Sequence, residues 1–159
     1  MDYIQSIRKF IGHDPMLSVG VSAIIENEEG KILLEKRHDN GLFCLPGGAI
    51  ELHETILEGL RREIMEETGL PLSDPKLFMV LSGDKEVFHY PNGDVTHYVD
   101  FIFYDKIESR NNPIRPQDRE SDSIRFYSRD ELPEKDRLLR GTERILKKYH
   151  NNDFTVIID

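Results

Sequence analysis

Cysteine occurs once in this chain of 159 residues, at Cys44, so no disulfide can form within it and the usage suits a reducing, cytoplasmic compartment. Nowhere does an apolar run approach the roughly 18 residues that a membrane-crossing helix needs. The first ten residues, MDYIQSIRKF, have neither an apolar signal core nor a small-residue cleavage site, which again predicts a cytoplasmic protein away from membranes. Basic excess is missing too. The formal net charge is −9, and a polyanion such as DNA or RNA is a poor partner for a surface of that sign. A small phosphorylated molecule is not excluded, because bound cations can invert the field of an acidic pocket. There is no repeat, low-complexity segment or linker. With 38% hydrophobic and 32% charged residues, 159 residues read as one soluble domain, 1–159, with a substantial core. Nothing in the sequence opposes a homodimer.

What is present is concentrated between residues 48 and 70, GAIELHETILEGLRREIMEETGL. Thr55 followed three residues later by Glu58 predicts a capping box and a helix starting near Ile56. Leu57, Leu60 and Ile64 then recur at helical spacing and predict a buried stripe. Gly69 suits the left-handed residue that closes a helix, and Pro71 prevents its continuation. On that helix Glu63, Glu66 and Glu67 stand at i, i+3 and i+4, so they crowd one face. Like charges so placed cost a few tenths of a kcal/mol per pair. A solvated acidic face is the plain interpretation. The alternative is that three carboxylates converge on one spot, as a hard divalent cation requires. The Gly47-Gly48 pair allows a tight loop whose backbone approaches a ligand closely, and one of its carbonyls, that of Gly48, would add an oxygen ligand.

The remainder predicts a mixture of strands and helices without regular alternation. Residues 3–11 carry Ile4, Ile7 and Ile11 at helical spacing before Gly12. Strands are expected over 16–25 and 31–36 around the turn at Asn27 to Gly30, then over 76–90 and 95–107, joined by the hairpin signal Asn92-Gly93. Residues 108–123 read as a polar loop, 124–127 as a short strand, 142–149 as a helix and 154–158 as an edge strand. Cys44 beside the glycine loop reads as a small packed residue more readily than as a reactive thiol. His53 reads as exposed, and His89 and His97 show no zinc-ligand spacing.

The spacing Gly48, five residues, Glu54, seven residues, Arg62-Glu63-Ile64-Met65-Glu66-Glu67-Thr68-Gly69-Leu70 resembles the Nudix box, G-x5-E-x7-R-E-U-x-E-E-x-G-U, at all nine specified positions. Leu45-Pro46-Gly47-Gly48 resembles the usual entry into it, and a weaker likeness extends over about residues 17–132. The resemblance implies an α/β protein of α+β type, the α/β/α sandwich of the Nudix fold with a mixed sheet. It also implies a hydrolase that cleaves a phosphoanhydride in a nucleoside diphosphate linked to another moiety, such as ADP-ribose, a nucleotide sugar or a (d)NTP. Mg2+, or alternatively Mn2+, would be held by Glu66 and Glu67, with Gly48 contributing and Glu63 serving as a ligand or as the base that positions water. Arg62 would pair with Glu54 or Glu51 and orient the cluster. Glu120, in the polar loop, is a candidate further carboxylate, and Arg37, after the second strand, is a candidate for the substrate phosphates. The downstream proline and tyrosine that mark ADP-ribose and diadenosine polyphosphate hydrolases are replaced by Lys85-Glu86 and Val87-Phe88. Phe43, Phe88, Tyr90 and Phe126 are candidates to stack a base. Two other readings share the fold: a nucleotide-sensing module that does not cleave, disfavoured by the intact box, and an isoprenyl-diphosphate isomerase, for which Cys44 alone gives little support.

Overall fold

The computed structural model of the chain describes residues 3–115 and 121–159. Helix α1 spans Tyr3–Ile11, and Gly12, in the left-handed region, donates its N–H back to the Arg8 carbonyl. Among the described residues, strand β1 (Met16–Glu26) runs through the middle of a nine-stranded mixed sheet. Its later half is buried on both faces, and along its two edges it pairs in parallel with β7 (Val95–Lys106) and antiparallel with β2 (Ile32–Arg37). The principal strand order is completed by β3 (Phe43–Cys44) beside β2, and by β5 (Lys76–Leu81) and β9 (Ile157–Ile158) beyond β7. Three further strands attach at the side: β4 (Gly47–Ala49) on β1, β6 (Val87–His89) on β7 and β8 (Ser121–Tyr127) on β2.

Two helices cover the sheet. Helix α2 (Ile56–Thr68) buries Leu60 and Ile64 against Val21, Ala23, Ile25, Leu33 and Phe103. Helix α3 (Thr142–His150) sets Ile145 and Leu146 against the opposite face, with Ile24, Leu34, Phe78 and Ile102. Successive residues of β1 therefore serve different cores, as the two-residue period of a strand requires. This is the α/β/α arrangement with a mixed sheet that the resemblance implied. Among the described residues, no helix is long and apolar enough to cross a membrane.

Three local expectations are corrected. Residues 76–90 do not form one strand. β5 ends at Leu81, Gly83 adopts φ 83°, a 3-10 turn occupies Asp84–Glu86, and β6 then begins. The cause lies in Ser82-Gly83-Asp84, which favours a turn over extended pairing. Leu81 pairs opposite Asp100 and Val87 opposite His97, so residues 82–86 must bulge away past Tyr98 and Val99. Second, the strand expected over 124–127 starts earlier, at Ser121, and pairs along β2 as far as Arg37. Third, Leu57 is 44% exposed. The buried stripe of α2 is Leu60, Ile64, Glu67 and Thr68, since the sheet meets the helix one turn further on. The short strands β3 and β4 had no expectation.

Candidate active site

The box helix begins and ends where its residues dictate. Thr55 accepts the Glu58 N–H while the Glu58 carboxylate accepts the Thr55 N–H at 2.8 Å, and Gly69 at φ 71° closes the last turn. Burial of Leu60 and Ile64 then fixes the rotation of α2, which turns its glutamates toward the Gly47–Gly48 strand. Glu67 is itself buried, and its carboxylate accepts the Gly47 N–H at 2.6 Å. Gly47, at φ 150°, lies so close to β1 that a Cβ would overlap the Val21 carbonyl oxygen. At Gly48 a Cβ would come within 2.5 Å of the Glu63 carboxylate. The glycine pair thus makes room for acidic side chains against backbone.

Arg62 organises this cluster. Its guanidinium donates to both oxygens of Glu54, through Nε at 2.6 Å and a terminal nitrogen at 2.9 Å. It also donates to Glu63 at 2.8 Å, to Glu66 at 3.2 Å and to the Ala49 carbonyl at 3.0 Å. Hydrogen bonding to Arg62 holds the Glu54 carboxyl below its ordinary range, and the bond to Glu54 raises Arg62 in turn. Of the two partners expected for Arg62, Glu54 is the one taken. Glu51 instead accepts the backbone N–H of Tyr3 at 3.1 Å, a carboxylate at the positive end of α1. The three box carboxylates are held by different donors. Glu63 and Glu66 face Arg62 and Glu67 faces Gly47, and among the described residues no three acidic, histidine or cysteine side chains gather as an ion-binding group. Mutual repulsion favours this division among separate donors.

The Gly47–Ala49 strand, Glu51 and the acidic face of α2 open into one cavity of about 660 Å³, within the range of small-molecule sites. Gly48, Arg62, Glu63, Glu66 and Glu67 line one end. Arg37 lines it as well, its fork held by Asp39 through two bonds of 2.9 Å. Of the aromatic candidates, Phe88 and Tyr90 face the cavity, whereas Phe43 is packed in the core and Phe126 against the α2 face. Cys44 is buried, donates to Glu35 at 3.1 Å, and burial pushes its thiol up, which makes it a packed residue and not a nucleophile. His53 is exposed, as expected. Glu120 lies outside the described residues.

Sequence reasoning missed the opposite wall. Tyr98 and Asp100 share the inward face of β7 with Ile102, and Glu86 arrives from the 82–86 bulge. The Tyr98 and Tyr90 hydroxyls are 2.7 Å apart, and Tyr98 lies edge-on to Phe88 with centroids 5.5 Å apart. Burial, with Glu86 adding to it, pushes the Asp100 carboxyl up to about 7, and burial also raises Glu86. One signal was readable: in the strand VTHYVDFIFYDK, Asp100 occupies the inward register between Tyr98 and Ile102.

A model of the NUDIX domain matches residues 16–149, spanning both ends of this cavity. The chain belongs to the NUDIX family. It is accordingly a Nudix-type pyrophosphohydrolase, an enzyme acting on acid anhydrides. It is similar to the ADP-ribose pyrophosphatase of Methanocaldococcus jannaschii, 35% identical over 136 residues, covering 83% of this chain and 72% of that protein. It is 46% identical to a MutT-like protein of Streptomyces ambofaciens over 56 residues, 35% of this chain and only 36% of that relative's length. Among solved structures, a MutT NUDIX hydrolase from Burkholderia pseudomallei superposes with TM-score 0.67 at 27% identity, over 83% of this chain and 97% of that one.

Proposed function

We propose that residues 1–159 act as one divalent-metal-dependent domain that hydrolyses a phosphoanhydride in a nucleoside diphosphate linked to a second moiety, with ADP-ribose-like molecules and nucleotide sugars ahead of (d)NTPs. One observation carries this reading: the Nudix-box carboxylates and the half-buried rings of Phe88, Tyr90 and Tyr98 line the same cavity of about 660 Å³. Such a space is suited to a diphosphate at one end and a flat organic group at the other. The likeness to an ADP-ribose pyrophosphatase over 83% of the chain supports the same substrate class.

Nudix hydrolases generally use divalent metal ions, and the residues present fit one. The donor set is all oxygen, suited to a hard cation, and Gly48 leaves the Glu63 carboxylate against the loop where a Cβ would displace it. Glu66 and Glu67 would be the principal ligands, with Glu63 and the Gly48 carbonyl beside them, for Mg2+ or Mn2+. A bound divalent cation supplies charge neutralisation on the phosphate oxygens and lowers the pKa of water. Arg62 keeps Glu54, Glu63 and Glu66 in register from its own side. The Gly47 N–H fixes the orientation of Glu67. Arg37, half-buried at the cavity wall, offers positive charge to the diphosphate. Attack of water on a phosphorus breaks one P–O–P bridge and leaves two phosphate-bearing products, and the proton released passes to Glu63 or Glu120.

A panel of ADP-ribose, sugar nucleotides, dinucleotides and (d)NTPs, assayed for product with Mg2+, with Mn2+ and with chelator, tests the reading. We expect cleavage that disappears with chelator, and Glu67→Gln should lower turnover by about a hundredfold without lowering the melting temperature, on the scale of losing a transition-state electrostatic contact. Tight binding without metal-dependent cleavage would leave a nucleotide-binding module.

A further inference from the structure

The wall opposite the box carries chemistry that hydrolysis does not use. Glu86 is only 2% exposed, yet it lines the cavity. Among the described residues, neither its carboxylate nor that of Asp100 has a hydrogen-bond or ion-pair partner. Arg140, Arg144 and Lys85 stand near enough to temper the charge of Glu86. Asp100 lies across β1 opposite Gly20, where a Cβ would overlap its Oδ1, so the sheet leaves this carboxyl room that any other residue at position 20 would take. Both line the cavity, where the donors of a ligand can satisfy them. Beside them stand the rings of Phe88, Tyr90 and Tyr98, suited to stacking a flat group.

We propose that Glu86 and Asp100 are specificity-determining residues that read the hydrogen-bonding edge of a nucleobase carrying an exocyclic amino group (adenine, guanine or cytosine) and discriminate against uracil. This rests on the hydrolase reading above and names the nucleotide half of its substrate. A carboxylate accepts from an amino N–H, and a protonated carboxyl can also donate to a ring nitrogen. Burial raises both carboxyls, Asp100 up to about 7, and above that value Asp100 acts only as an acceptor. An exocyclic amino group offers two N–H donors, one for each carboxylate, whereas uracil has a single ring N–H between two carbonyl oxygens, so one of the two carboxylates would be left facing an oxygen. A sugar bound by the same carboxylates is the competing occupant, since hydroxyls also donate.

The experiment varies one half of the substrate at a time. ADP-glucose, GDP-glucose, CDP-glucose and UDP-glucose fix the sugar. ADP-ribose, ADP-glucose and ADP-mannose fix the base. We expect kcat/KM at least about tenfold lower for UDP-glucose than for ADP-glucose, the scale of leaving a buried polar group unpaired. In the Glu86→Gln, Asp100→Asn double variant that ratio should fall within about threefold, through a rise in KM for the amino-bearing substrates. Calorimetric titration of the intact protein with ADP and with UDP gives the same comparison without any turnover, so a failure of hydrolysis is distinguishable from a failure of base reading. Equal ADP and UDP affinity in the wild-type protein would overturn the proposal, and needs no variant to fold. So would a preference that follows the sugar and ignores the base, or one that survives the double substitution.

Discussion

Asp100→Asn should stabilise the protein in mild alkali and leave it nearly unchanged in acid. In the folded chain burial and the neighbouring Glu86 push Asp100 from 3.8 up to about 7. Below 3.8 both folded and unfolded chains hold the proton, and Asp100 contributes no pH dependence. Between 3.8 and 7 the unfolded chain has released a proton that the folded chain retains, so stability declines as pH rises through that window. Above 7 the full cost is present. About three units at ~1.4 kcal/mol each gives a ceiling of ~4 kcal/mol, and partial access of water through the cavity reduces it to roughly 2 kcal/mol. An asparagine of the same shape carries no such cost, so the variant should melt roughly 4–8 °C higher than wild type at pH 8.5, with the difference shrinking toward zero at pH 4. Thermal and denaturant unfolding of both proteins at pH 4, 5.5, 7 and 8.5, in chelator, measures it, because every titrating group that does not interact with Asp100 cancels in the difference. A gap that does not depend on pH would refute the reasoning, as would a variant less stable than wild type at pH 8.5. The same substitution is expected to blunt base selection, the trade of stability for function that active sites commonly show.

Gly48→Ala places a methyl within 2.5 Å of the Glu63 carboxylate, so turnover measured with saturating Mg2+ should fall by about tenfold or more, as expected for a displaced acid or ligand, while secondary structure by circular dichroism is retained. Arg62→Lys loses the two-pronged contact with Glu54 at 2.6 and 2.9 Å; steady-state kinetics should show turnover reduced roughly tenfold and a weaker apparent metal affinity. Glu120→Gln should lower turnover by about tenfold, with metal affinity by titration changing less than in Glu67→Gln; equal losses of affinity would make Glu120 a permanent ligand.

How much could be read from sequence depended on the range of the interactions involved. The box helix was legible to the residue because Thr55, Glu58 and Gly69 act within one or two turns of themselves. The pairing of Arg62 with Glu54 was narrowed to two partners, and the choice required knowing that the N-terminal helix claims Glu51. Leu57 satisfied the helical period yet faces outward, since the docking direction of α2 is set by the sheet beneath Leu60 and Ile64. Asp100 and Glu86 were passed over for a related reason. Their meeting depends on β7 pairing with two different strands, and no local pattern encodes that.

The bulge at 82–86 separates two kinds of evolutionary freedom. Both of its ends are anchored to β7, at Leu81 opposite Asp100 and at Val87 opposite His97, while its interior makes no ladder pairs. Lengthening or recomposing such a segment costs little closure entropy. The box helix, by contrast, is capped at both ends and locked onto the sheet. Grafting other 82–86 segments into this chain should therefore yield a series of hydrolases that differ in what they accept and agree in how they cut, with selectivity carried as an exchangeable cassette.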